Sequence, residues 1–202
     1  MTMRSFGHPL FINPRQSPAL ERQKRVLWLT GLSGAGRSTI ANGLAAMLSA
    51  MGLRAVVLDG DDLRNGLCAD LGFAPQDRRE NIRRAGHVAR LFANAGTLCI
   101  AAFISPYRED RDRVRSLMPP GGFVEVYINA PLAVCEQRDV KGLYARARSG
   151  GIAEFTGITA PYEPPLAPEF EIRTDELTVG ESVACLCNYL LGLREAVCEY
   201  QI

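Results

Sequence analysis

Hydrophobic and polar positions alternate between two regimes along this chain. Short, almost uninterrupted apolar runs at residues 25–30, 55–58, 97–103 and 123–128 predict strands covered on both faces, and residues 170–173 offer a last short strand. Between them lie segments of helical period. Residues 38–51 place Ile40, Leu44, Met47, Leu48 and Met51 on one face, with Gly52 as the stop. Residues 77–95 turn Ile82, Ala85, Val88, Ala89, Phe92 and Ala95 inward, residues 107–117 form an arginine-rich helix, 132–137 a short one, and 179–190 a closing one. Strands alternating with helices predict an α/β fold with a mostly parallel sheet flanked by helices. The pattern gives one domain at 25–192, an irregular arm at 1–24, a tail at 193–202, and a Gly- and Pro-rich stretch at about 139–168 read as a mobile loop over the substrate.

Composition narrows the function. The charge of +1 argues against long nucleic acid as a partner. No apolar run reaches membrane length and no leader is visible, so no membrane partner is expected and the cytoplasm is the expected location. The six cysteines lack the spacing of a zinc site and mostly sit in apolar stretches, as small core residues. Ten arginines between Arg64 and Arg115 suggest a small anionic ligand.

The chemistry starts directly after the first strand. Gly31, Ser33, Gly34, Ala35, Gly36, Arg37, Ser38 and Thr39 belong to a G-x-x-x-x-G-[R]-S loop that opens into a helix, the setting of a nucleotide-binding P-loop. Glycines let backbone N–H groups turn toward a phosphate, and Ser38 can place its hydroxyl on Mg²⁺. The single departure is Arg37 where the motif carries lysine. The guanidinium keeps the charge but replaces a point donor by a planar fork, which predicts that nucleotide binding survives better than turnover.

The second strand ends in Asp59, Gly60, Asp61, Asp62, Leu63 and Arg64, where a parallel sheet presents ligands. Asp61 is the first choice for binding Mg²⁺ and for orienting or deprotonating an attacking hydroxyl, and Asp59 the second. The strand end at residues 101–105 supplies no alternative aspartate. In the run from Asp77 to Arg84, Arg78 and Asn81 share one helical face, while Arg79 and Arg83 form another pair. His87 reads as a packing or hydrogen-bonding residue.

The P-loop, DGDDLR, LGF at 71–73, DRRENIRR, FISPYREDR at 103–111, RDVKGLY at 138–144, and EFTGI followed by APYEPP, together resemble adenylyl-sulfate kinases over about residues 25–191. The resemblance implies a P-loop kinase, typically dimeric, that transfers the ATP γ-phosphate to the 3′-hydroxyl of adenosine 5′-phosphosulfate. It implies that Arg64, Arg78 and Asn81 hold the phosphosulfate and its nucleoside, and that Ile104 and Ser105 line the acceptor pocket. Phe73 and Phe155 would sandwich the adenine, Lys141 and Leu143 would close over the substrate, and Arg138 and Asp139 would lie near the ATP base. Asp62 departs mildly from the asparagine of many relatives. Ser105 is also a candidate phosphoserine in this family, although no local histidine supplies it with a base and direct in-line transfer is preferred. Two other functions stay open: a non-catalytic nucleotide-binding module, supported by Arg37, and a kinase for another small anion.

Overall fold

The computed structural model describes residues 25–192, so the arm at 1–24 and the tail at 193–202 lie outside the described residues. Five parallel strands, β1 (Val26–Thr30), β2 (Ala55–Asp59), β3 (Leu98–Ala102), β4 (Phe123–Asn129) and β5 (Phe170–Arg173), form one sheet in the order β2-β3-β1-β4-β5. Among the described residues seven helices surround it: α1 (Arg37–Ala50), α2 (Gly60–Arg64), α3 (Pro75–Asn94), α4 (Arg108–Ser116), α5 (Leu132–Arg138), α6 (Leu143–Arg148) and α7 (Val179–Leu191).

The central strand explains the apolar runs. Every residue of β1 is buried, and alternate side chains enter different cores. Leu27 and Leu29 pack with α1 and α7 residues such as Leu44 and Leu186 on one face. Val26 and Trp28 pack with Ile82, Ala85 and Val114 of α3 and α4 on the other. Among the described residues Cys68, Cys99, Cys135 and Cys187 are buried free thiols, and burial pushes the Cys99 thiol up to about 12.

Three local features differ from expectation. Helix α3 begins at Pro75, a residue whose fixed φ and missing N–H suit a first helical turn, and its inward face ends on Ala93 while Ala95 is exposed. Met51 is a C-cap residue, 37% exposed, rather than part of the α1 face. The stretch 139–168 is not wholly irregular: it contains α6 and a bridge between Thr156 and Ala160. Helix α7 starts with a full capping box, in which Thr178 Oγ1 accepts from Glu181 N and the Glu181 carboxylate accepts from Thr178 N. No helix among the described residues is long and apolar enough to cross a membrane.

Candidate functional site

The carboxyl ends of β1, β2 and β3 open onto two adjoining cavities. Gly31 makes the first turn possible, because a Cβ there would meet the Ile128 carbonyl oxygen at 2.3 Å. Gly36 then caps α1 with φ 103°, a left-handed conformation that suits glycine. Ser33, Gly34, Ala35, Gly36, Arg37, Ser38 and Thr39, with Arg138, Asp139 and Lys141, line a cavity of about 520 Å³. Ser33, Arg37, Ser38 and Lys141 also line a second cavity of about 710 Å³. The remaining wall of that cavity includes Asp59, Asp61, Arg64, Phe73, Arg78, Asn81, Ile104, Ser105, Leu143 and Phe155. The expected residues therefore converge, apart from Gly31, which supports the loop from beneath.

The junction of the cavities carries the sharpest chemistry. Ser38 Oγ donates to Asp59 Oδ2 at 2.5 Å, and Asp59 Oδ1 accepts from the Asp61 backbone N–H at 2.9 Å, capping α2. Asp61 is left to pair with Lys141 across the cavity mouth. Arg37 is half-buried, and its Nε is buried without a hydrogen-bond partner. Loss of water lowers the pKa of its guanidinium, while nearby Tyr162, Asp59 and Asp61 act in the opposite direction. A hydroxyl and a carboxylate in contact make a hard oxygen pair of the kind Mg²⁺ accepts when phosphates and water complete its shell. The described residues hold no group of three or more His, Cys, Asp or Glu that could bind a metal by itself.

In the first cavity, Arg138 and Asp139 are already engaged. Arg138 Nη2 donates to the Thr174 carbonyl at 2.5 Å and Nη1 to the Gly34 carbonyl at 3.3 Å, while Thr174 Oγ1 donates to the Ala35 carbonyl at 2.8 Å. Asp139 accepts from the N–H groups of Tyr144 and Ala145, each at 3.0 Å, and these bonds lower its carboxyl pKa. Tyr144 donates from its hydroxyl to the Ser33 carbonyl at 2.9 Å. Thr174 and Tyr144 were not singled out from sequence; Tyr144 stood within the RDVKGLY run, whereas Thr174 gave no signal.

In the second cavity, Arg64 donates to the Gly72 carbonyl at 2.9 Å and lies 4.3 Å above the Phe73 ring. Arg78 ties three backbone or side-chain oxygens, from Phe73, Glu154 and Thr156, so it holds the 154–156 segment against α3. Asn81 is 6% exposed and its Oδ1 is an unpartnered acceptor on the cavity wall. Phe73 is 63% exposed, whereas Phe155 is 8% exposed and meets Tyr144 edge-on at 4.9 Å.

Ser105 is set deep in the wall. Its Oγ accepts from Trp28 Nε1 at 3.0 Å and donates to Thr30 Oγ1 at 3.1 Å, and Thr30 donates to the Ile104 carbonyl at 2.7 Å. With that proton committed, the Tyr162 hydroxyl donates to Thr30 Oγ1 at 3.0 Å. Burial raises the Tyr162 phenol to about 12. Ser105 also has φ 41°, an uncommon conformation for a side-chain-bearing residue. Arg111 clamps this corner, donating to the Ser105 and Glu163 carbonyls and to Glu125. The dense arginine run thus has divided duties: Arg64 and Arg78 face the cavity, while Arg84, Arg111 and Arg115 are tied to acidic partners.

Comparison with known proteins agrees with this geometry. The family model described as adenylylsulphate kinase matches residues 23–173. A probable adenylyl-sulfate kinase of Halalkalibacterium halodurans is 56% identical over 176 residues, covering 84% of this chain and 87% of that protein. The Mycobacterium tuberculosis APS kinase CysC, solved in complex with AMPPNP and APS, is 44% identical with a TM-score of 0.79, over 83% of this chain and 97% of that one. A hexameric APS kinase from Thiobacillus denitrificans is 34% identical with a TM-score of 0.64, over 90% of this chain and 32% of that one. With a P-loop at the end of β1, a second cavity beside it and this match across most of its length, the chain belongs to the adenylylsulphate kinase family.

Proposed function

We propose that the protein transfers the γ-phosphate of ATP to the 3′-hydroxyl of adenosine 5′-phosphosulfate, giving 3′-phosphoadenosine 5′-phosphosulfate and ADP. The observation that carries this reading is the meeting of two cavities at Arg37, Ser38 and Lys141, with Asp61 at their mouth. One cavity has the phosphate loop as its floor, and the other carries Arg64 and Arg78, the unpartnered Asn81 amide oxygen, and the Phe73 and Phe155 rings among its lining.

Phosphoryl transfer depends mainly on positioning and on charge stabilisation. The loop from Gly31 to Thr39 holds the terminal phosphates, and Arg138 and Asp139 shape the wall beside the ATP base. Ser38 and Asp59 would hold Mg²⁺, which would neutralise phosphate charge. Arg64, Arg78 and Asn81 bind the phosphosulfate and nucleoside, Ile104 and Ser105 form the pocket wall, and Phe73 and Phe155 take the adenine between them. Asp61 orients the 3′-hydroxyl and accepts its proton as the new P–O bond forms and the bond to the ADP oxygen breaks. Lys141 and Leu143 sit in the 139–168 segment, which covers the substrates and limits water. A covalent phosphoserine is not needed: Ser105 is 1% exposed and its hydroxyl already serves Trp28 and Thr30. The same reading takes the working protein as a cytoplasmic homodimer, a state that sedimentation distinguishes from a monomer or hexamer.

The test is incubation with ATP, Mg²⁺ and adenylyl sulfate, with chromatographic detection of the 3′-phosphorylated product. Time-dependent product supports the reading. Its absence at high concentrations of folded protein would overturn it.

A further inference from the structure

Helix α3 presents two polar faces, only one of which the proposed reaction uses. Arg78 and Asn81 look into the acceptor cavity, whereas Arg79, Arg83 and His87, successively four residues apart, border a different hollow of about 280 Å³. Its far wall is α4, with Asp110, Arg113 and Val114, and the Leu117 that caps it. The two helices pack closely at Gly86, where a Cβ would lie 2.7 Å from Val114 Cγ2.

Asp110 is 3% exposed, and its Oδ2 has no hydrogen-bond partner. Its Oδ1 lies 3.6 Å from Arg113 Nη1. Burial raises the Asp110 carboxyl pKa, while Arg79 and Arg113 act against that rise. Arg79 is not within ion-pair distance of a carboxylate among the described residues and rests 5.6 Å from the Tyr107 ring centre. Arg83 is held through two bonds of 2.6 and 2.8 Å by Glu80, a half-buried carboxylate that also lines the hollow and accepts from Arg84. The remaining N–H groups of Arg83 are the ones free for a ligand, and Arg113 is held by Glu109 in an exposed, weak pair.

A buried carboxylate oxygen without a donor is unfavourable and calls for a proton from whatever enters the hollow. The surrounding guanidiniums call for acceptor oxygens. A phosphate that retains one proton answers both demands, whereas sulfate brings oxygens but no proton at neutral pH. We propose that the hollow between α3 and α4 binds a protonated phosphate, as the free ion or a monoester, through a P–O–H donated to Asp110 Oδ2 and oxygens accepting from Arg79, Arg83 and Arg113. Val114 and Leu117 give an apolar wall for the organic part of an ester.

Calorimetry on the full chain, in buffer free of phosphate and sulfate, compares inorganic phosphate, glycerol 3-phosphate and sulfate. Phosphate or the ester should bind about tenfold or more tightly than sulfate, and the stronger of the two identifies the source. Arg79→Gln and Arg113→Gln should each weaken that binding by about tenfold while leaving the kinase rate in phosphate-free buffer unchanged. Ser38→Ala should leave it intact, which separates this hollow from the phosphate loop. Asp110→Asn should abolish the preference over sulfate. Absence of binding, equal binding of sulfate, or phosphate binding indifferent to both exposed arginine substitutions would overturn the proposal, even if Asp110→Asn fails to fold.

Discussion

Ser38 Oγ donates to Asp59 Oδ2 at 2.5 Å, joining the phosphate-loop helix to the end of β2, while Asp61 turns away to Lys141. The two aspartates therefore have different partners, and the proposed reaction gives them different tasks. Asp59→Asn should raise the Mg²⁺ concentration for half-maximal rate by about tenfold or more, with little loss of stability because asparagine still caps α2. Asp61→Asn should instead lower kcat by about 100-fold or more at saturating Mg²⁺, the scale expected when a proton acceptor is removed. Initial rates across a Mg²⁺ series separate the two effects, and the reverse pattern would return the metal to Asp61, the first choice from sequence.

Arg37 stands where the P-loop motif has lysine, and its buried Nε has no partner. A planar fork placed for a lysine's task holds charge near the phosphates but misaligns its donors, and a misplacement near 1 Å costs on the order of 100-fold. Arg37→Lys should raise kcat by about tenfold or more while changing ATP affinity much less. Steady-state kinetics beside ATP-binding calorimetry decides it. Unchanged or lower kcat in the lysine variant would mean that this pocket is adapted to the guanidinium.

The phosphate loop was legible because two independent signals coincide there, a continuous apolar strand and a glycine pattern opening a helix. Helix α2 was not, since its five residues show no period and its one cue is Asp59 as an N-cap. Helix α6 was hidden similarly, being six residues inside a Gly- and Pro-rich stretch. The duties of the arginines depend on partners distant in sequence. Nothing near Arg111 or Arg115 announces Glu125 and Glu169, nor does anything near Ser105 announce Trp28. Local pattern singled out the phosphate loop and the two aspartates, and the family resemblance supplied the rest of the candidate site, while the hydrogen bonds that support it required the fold.

The two phenylalanines expected around the adenine differ in burial, so their substitutions should fail differently. Phe73 is 63% exposed and meets chiefly the Arg64 guanidinium. Phe73→Ala should alter stability by less than about 0.5 kcal/mol, yet raise KM for adenylyl sulfate by about tenfold, as loss of one stacking face predicts. Phe155 is 8% exposed and packs on Tyr144. Phe155→Ala should therefore cost about 3–5 kcal/mol of stability in addition to acceptor affinity. Denaturant titration and acceptor KM, measured on both variants, check the contrast.

Arg111 links three separate segments: Nε bonds Glu125 Oε1 at 2.6 Å, Nη1 the Ser105 carbonyl at 2.7 Å, and Nη2 the Glu163 carbonyl at 2.8 Å. At 2% exposure, it cannot be removed without leaving the buried Glu125 with only the longer contact of Oε2 to Arg115 Nη2, at 3.3 Å. Arg111→Met should therefore destabilise the protein by about 3–5 kcal/mol, and adding Glu125→Leu should recover part of that loss by removing a buried carboxylate that has lost its shorter partner, while Arg115 keeps Glu169. A purely structural role predicts nothing further. A positioning role predicts that the double variant, assayed where it is folded, has a raised KM for adenylyl sulfate and an unchanged KM for ATP. The reason is that Ser105, held at φ 41°, lines the acceptor cavity and not the nucleotide cavity. Equal changes in both constants would mean that Arg111 stabilises the fold without setting the acceptor wall.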